Sequence, residues 1–189
     1  MNIANRLTVL RILLVPVLLL FIYIDIPLNY LWALIIFIGA SVTDLYDGKL
    51  ARKYEIVTNF GKFLDPLADK ILVISVMIAF IGIGLAHPIT VILVVAREFV
   101  VSGVRLVAAS GSGKVIDANW WGKTKTTLQI VIIISVLTFL EFSRIINSNR
   151  FMEITVLGAN IGMWIVAAFT VISGITYIKQ NFEIFSDIK

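Results

Sequence analysis

Long apolar runs broken by short polar interruptions dominate the chain. Their lengths predict α-helices at roughly 7–24, 30–46, 66–84, 88–108, 123–141 and 153–178. Turn-forming residues fall between the runs: Pro27 with Asn29, Gly82 with Gly84 and Pro88, Gly111 with Gly113, and Asn147 to Asn149. No internal repeat, low-complexity tract or second unit interrupts the pattern, so residues 1–189 read as one domain.

Composition settles what kind of helices these are. The chain is 59% hydrophobic and 15% charged, with a mean hydropathy of +0.99. Soluble domains are about 45–50% apolar and about 25% charged. An all-α, polytopic membrane protein is therefore expected, with room for about six spans of about 20 residues. The first helix resembles a signal peptide, but Asp25-Ile26-Pro27-Leu28 is a poor cleavage site, so it reads as retained. Ile3, Leu7 and Leu10 share one helical face while Asn5, Thr8 and Arg11 lie toward another. That pattern predicts a short amphipathic segment in the headgroup plane, although an ordinary polar start to a membrane helix accounts for it equally well.

Charge orients the bundle. With a cytoplasmic N-terminus, only Arg144 and Arg150 of the 16 basic residues fall in the outer half. The positive-inside rule favours this topology, with both termini cytoplasmic. The net charge of +4 suits anionic lipid headgroups. There is no Cys, and His87 is the single His, which excludes disulfides, thiolate sites and His-rich metal clusters. His87 itself reads as a polar residue of an outer turn. Gly111-Ser112-Gly113-Lys114 and Gly122-Lys123-Thr124 hint at a phosphate loop, but Ala108 and Asp117 stand where its first Gly belongs and no strand precedes either. Nothing points to a nucleic-acid partner. Gly158 and Gly162 form a small-xxx-small step, most simply for packing within the chain.

Four carboxylates need an explanation in such a chain: Asp44, Asp47, Asp65 and Asp69. A carboxylate at membrane depth costs several kcal/mol unless a cation, a partner or water compensates it. Asp44 and Asp47 are spaced i, i+3, and Asp65 and Asp69 i, i+4, so each pair projects from one helical face. Two such faces meeting across a short loop form an all-oxygen site suited to Mg²⁺ or Mn²⁺. A pair of these ions grips a diphosphate and stabilises charge developing on phosphorus. Gly48 lets a ligand approach the backbone, and Arg52 offers a planar donor fork to a phosphate. The alternative is that the acids snorkel to the interface and pair with Lys49, Arg52, Lys62 and Lys70, which requires no paired faces.

Asp44-x2-Asp47-Gly48-x2-Ala51-Arg52-x8-Gly61-x3-Asp65-x3-Asp69 resembles the signature of the CDP-alcohol phosphatidyltransferases at every fixed position and gap. The resemblance implies a six-helix, usually dimeric membrane enzyme that moves a phosphatidyl group from a CDP-linked lipid to an alcohol and releases CMP. It implies that Asp44, Asp47, Asp65 and Asp69 hold two metal ions, that Asp69 is also the general base, and that Gly48, Ala51 and Arg52 lie against the CDP moiety.

A second constellation concerns the acceptor. Arg97 and Arg105 stand eight residues apart, about two turns along nearly one face. Lys123 and Lys125 open the fifth helix. Four cations beside a metal-held diphosphate predict a site for another anion, most simply a phosphate on the acceptor. Against this, Arg97 has Glu98 or a motif aspartate as a rival partner, and the positive-inside rule alone accounts for Lys123 and Lys125. The opening residues 1–11, the stretch 59–70, Arg97-Glu98-Phe99 with Gly103 and Arg105, and Gly122-Lys123-Thr124-Lys125-Thr126 resemble one branch of the same family. That branch uses CDP-diacylglycerol and sn-glycerol 3-phosphate in a bacterial inner membrane.

The expected chemistry is one displacement: Asp69 takes the proton as the acceptor hydroxyl attacks the lipid-linked phosphorus, and CMP leaves. An aspartate nucleophile is the alternative. Rival functions are a family member using inositol phosphate or serine, and a small cation transporter. The basic cluster argues against serine, and cations buried in the bundle would repel a transported ion.

Overall fold

A computed structural model gives the backbone of residues 3–53, 59–111 and 120–181, with side chains for 7–43, 67, 68, 70–105 and 120–181. Six helices make up the described residues, with no strand: α1 (Ile3–Tyr23), α2 (Asn29–Lys53), α3 (Asn59–Gly82), α4 (Pro88–Gly111), α5 (Trp120–Ile146) and α6 (Asn149–Gln180). They pack as a closed ring in the order α1, α2, α5, α6, α4, α3, with α3 also touching α2 and α5. The expected turn residue Gly113 lies outside the described residues.

The helix ends differ from the expected ones where the chain is polar. α2 continues past position 46 through the acidic motif to Lys53, and α3 begins at Asn59 instead of 66. Nor is there a separate amphipathic segment, because α1 runs unbroken from Ile3. Its polar side turns inward: Thr8 and Arg11 are buried with partners, whereas Leu10 is exposed.

The bundle is apolar inside and out. Leu18, Phe37, Leu72, Met77, Phe80, Leu137 and Met163 form its core. Leu13, Ile92, Phe139, Leu157 and Trp164 are among the many large apolar side chains on its outer surface. Such a surface is suited to lipid. Taken alone, α5 and α6 are long and apolar enough to cross a membrane; the apolar stretches Leu7–Tyr23, Asn29–Thr43 and Lys70–Gly82 are shorter. In α4, Arg97, Glu98 and Arg105 interrupt the apolar run. Gly162 packs against Ile132 of α5, so at this residue the small-residue step serves contact within the chain.

Three turns gather at one end, each with one residue in the left-handed region: Leu28, Gly84 and Asn147. A network ties them together. Asn29, buried at the start of α2, donates from Nδ2 to the carbonyls of Phe21 (3.1 Å) and Ile24 (3.0 Å), closing the end of α1. Its Oδ1 accepts from Arg144 of α5, which also pairs with Asp25. Glu141 accepts from the Leu31 N–H at 3.1 Å, placing a carboxylate at the positive end of α2. Asn160 of α6 reaches the Gly84 carbonyl, and His87 stacks on Trp164. Asn29→Ala strips partners from two helix-end carbonyls and from Arg144. A buried group left unsatisfied costs about 1–3 kcal/mol. The thermal midpoint of the purified variant should therefore fall by several degrees, and an unchanged midpoint would show that water takes over these bonds.

Candidate functional site

The acidic motif rides on regular helix. Asp44, Asp47, Gly48, Ala51 and Arg52 lie in the last three turns of α2, and Asp65 and Asp69 in the first three of α3. These helices are in contact. The i, i+3 and i, i+4 spacings therefore hold on real helical turns and put each pair on one face. The side chains of these seven residues lie outside the described ones, as does any meeting of the two pairs. No group of three or more metal-ligand side chains occurs among the described residues. The motif's donor chemistry, four carboxylates on two adjacent helices, fits a hard divalent cation.

Next to the motif in sequence, Lys70 belongs to a cluster in which four helices meet around a part-buried carboxylate, Glu98 of α4. Lys125 of α5 pairs with its Oε1 and Arg97 donates to the same oxygen at 3.2 Å. Lys70 of α3 stands 3.7 Å from Oε2. Lys70 also donates to the Ser102 hydroxyl, which in turn donates to the Glu98 carbonyl at 2.6 Å. From α6, Ser173 accepts from the far nitrogen of Arg97 at 2.7 Å. Gly174 makes this approach possible, because a Cβ there would sit 3.1 Å from the Arg97 stem. The Lys125 side chain is only 2% exposed, Arg97 11% and Glu98 14%, so the charges meet out of bulk water. Arg97 Nε is buried without a hydrogen-bond partner in the structure.

Beside this cluster lies a cleft lined by Lys70, Glu98, Lys125, Thr126 and Gln129 against Val73 and Ile74. Its volume of about 30 Å³ holds a water molecule and little more. Farther along α4, Arg105 donates from Nε to the Tyr177 hydroxyl at 3.4 Å and lies over that ring at 5.6 Å. Tyr177, Val101 and Val104 form a small apolar cluster separate from the main core.

Of the four cations expected in an acceptor pocket, Arg97 and Lys125 meet on one carboxylate. Arg105 stands about 12 Å farther along the helix axis. Lys123 is exposed, turned about 200° around α5 from Lys125. The ion pair with Glu98, the expected rival for Arg97, is present. Lys70, Ser102, Ser173 and Tyr177 were not among the expected binding residues. The i, i+4 spacing of Ser173 and Tyr177 places two polar groups on one face of an otherwise apolar helix and was the available signal.

The sequence has counterparts in known proteins. The family model described as CDP-alcohol phosphatidyltransferase matches residues 1–175. A Bacillus subtilis protein named CDP-diacylglycerol–glycerol-3-phosphate 3-phosphatidyltransferase is 39% identical, with 96% of each chain covered. Proteins of the same name from Rickettsia bellii (39% identical, 94% of each chain) and Haemophilus influenzae (35% identical, 94% of this chain and 92% of that one) are similarly alike. A chain matched along nearly its full length, with the signature carried on two adjacent helices, belongs to the CDP-alcohol phosphatidyltransferase family.

Proposed function

We propose that this chain transfers the phosphatidyl group of CDP-diacylglycerol to sn-glycerol 3-phosphate, giving phosphatidylglycerophosphate and CMP. The observation that carries the choice of acceptor is the meeting of Arg97, Lys70 and the buried Lys125 at one point of the bundle, joined to the names of the full-length relatives. A phosphate on the acceptor gives these cations a partner of up to two negative charges; serine brings a single carboxylate beside its own ammonium.

In this reading Gly48, Ala51 and Arg52 lie against the CDP moiety, and Arg97 and Lys125 grip the acceptor phosphate. Lys70 joins that grip, while Arg105 and the exposed Lys123 add positive potential along the entry route. Asp69 accepts the proton of the acceptor's 1-hydroxyl as that oxygen attacks the lipid-linked phosphorus and the bond to CMP breaks. Asp44, Asp47, Asp65 and Asp69 would hold two Mg²⁺ or Mn²⁺ ions, which when bound neutralise the diphosphate and stabilise charge on phosphorus. Fixing both reactants side by side supplies much of the acceleration. The chain acts as a homodimer with six spans in a bacterial inner membrane, its termini and site facing the cytoplasm. The outward apolar surface and the basic residues clustered toward one side support that placement.

The test is CMP release by the purified protein from CDP-diacylglycerol, across a panel of acceptors. Glycerol 3-phosphate should be turned over far faster than inositol phosphate, serine or glycerol. Equal rates with serine would reassign the acceptor, and no CMP release with any alcohol would remove the transferase reading.

A further inference from the structure

The acceptor cations are already neutralised in part by a residue of the chain itself. Lys70, Arg97, Lys125 and Glu98 together carry a formal charge of +2. A phosphate monoester carries about −1.5 to −2 at neutral pH, so the cluster with Glu98 retained matches one such group. Yet the atoms a phosphate would use, the Lys125 ammonium and an Arg97 nitrogen, are held by Glu98 Oε1. The adjoining cleft is lined by this same Glu98 together with Lys125 and Lys70, so a phosphate entering it meets the carboxylate first.

We propose that Glu98 is an internal counter-anion that occupies the acceptor phosphate's place and yields it to the arriving substrate. Its geometry suits that exchange. Arg97 keeps one nitrogen on Ser173 throughout, at 2.7 Å, so the guanidinium stays aimed when the carboxylate leaves. Lys70 is the most exposed cation of the cluster, and its 3.7 Å contact is to the other carboxylate oxygen, so it can follow Glu98 away. Without a stand-in, Arg97 and Lys125 would each lose a counter-charge whenever the site is empty, a cost that grows with their removal from bulk water. With it, an acceptor must displace a carboxylate, and a phosphate monoester, with its greater charge, does so best. Glycerol has no charge to compete with, and serine's carboxylate is offset by its own ammonium. This deepens the acceptor-pocket reading and rests on it.

The experiment uses the full-length protein in detergent or nanodiscs. The thermal midpoint and the KM for glycerol 3-phosphate are measured for wild type and Glu98→Gln, without added anion and with inorganic phosphate, glycerol 3-phosphate or glycerol. Glu98→Gln should be less stable than wild type without anion. Phosphate and glycerol 3-phosphate should raise its midpoint more than they raise that of wild type, while glycerol leaves both unchanged. KM for glycerol 3-phosphate should fall about tenfold, the counterpart of removing one competing charge-assisted contact. KM for CDP-diacylglycerol should stay as it was. A phosphate-induced shift no larger than in wild type, or a raised KM for glycerol 3-phosphate, overturns the proposal and leaves Glu98 as a scaffold for the cations.

If Glu98→Gln does not fold, Glu98→Gln with Lys70→Gln restores the +2 charge while still freeing Lys125 and Arg97, and the same enhanced shift is required of it. The two readings fail separately. An enhanced phosphate shift together with an unchanged KM for glycerol 3-phosphate in Lys125→Ala keeps the counter-anion but removes the acceptor assignment. A raised KM in Lys125→Ala with no enhanced shift in Glu98→Gln does the reverse.

Discussion

Asp44→Asn, Asp47→Asn and Asp65→Asn should each lower CMP release by orders of magnitude, with the protein still folded. The four motif carboxylates stand on regular helix, in pairs whose spacing puts each on one face. Each exchange keeps the side chain's shape but removes one negative charge and one oxygen from the proposed hard-cation donor set. Excess chelator should likewise abolish release, and Mg²⁺ or Mn²⁺ should restore it. Full activity in chelator would end the two-ion reading. Asp69 is separable within the same series. As a ligand alone, Asp69→Asn should be partly rescued by excess Mg²⁺; as the proton acceptor it should not, and the acidic limb of its kcat profile should disappear. Metal rescue with the profile intact would reduce Asp69 to a ligand.

How far the chain could be read without coordinates depends on what each feature is made of. All six helices were legible because long apolar runs reveal themselves by length. Their polar extensions were not: the motif turns of α2 and the first turns of α3 carry no apolar run, although their backbone is helical to Lys53 and from Asn59. Arg97 stood out because a charge deep in an apolar helix demands a partner. That Glu98 collects three cations at once was invisible, since Lys70 and Lys125 reach it from other helices. Ser173 carried a weaker signal, because a small hydroxyl in an apolar helix usually bonds to its own backbone. Lys123 and Lys125 are two residues apart, and helical periodicity alone already sets them on different faces.

In the proposed acceptor site, depth ranks the cations. Truncating Lys125 or Arg97 should raise KM for glycerol 3-phosphate by about tenfold or more, since a hydrogen bond to a charged group contributes ~1.5–3 kcal/mol. KM for CDP-diacylglycerol should move far less. Lys123→Ala should have a smaller effect, because its exposed charge is screened by water and salt. Arg97→Lys should remain impaired: Arg97 reaches Glu98 and Ser173 with two separate nitrogens of one planar fork, a geometry that a compact ammonium does not reproduce. Replacing glycerol 3-phosphate by glycerol should cost wild type heavily and the Lys125→Ala and Arg97→Ala variants much less, because the partner already lost is the same. Lys125→Ala carries a second penalty, since Glu98 is left with fewer cations and repels the incoming phosphate. Adding Glu98→Gln to Lys125→Ala should therefore recover part of the acceptor affinity, a coupling that a double-mutant cycle measures directly. If the truncations weaken both substrates equally, or glycerol serves wild type as well as its phosphate does, the buried cations hold the bundle together and the acceptor binds elsewhere.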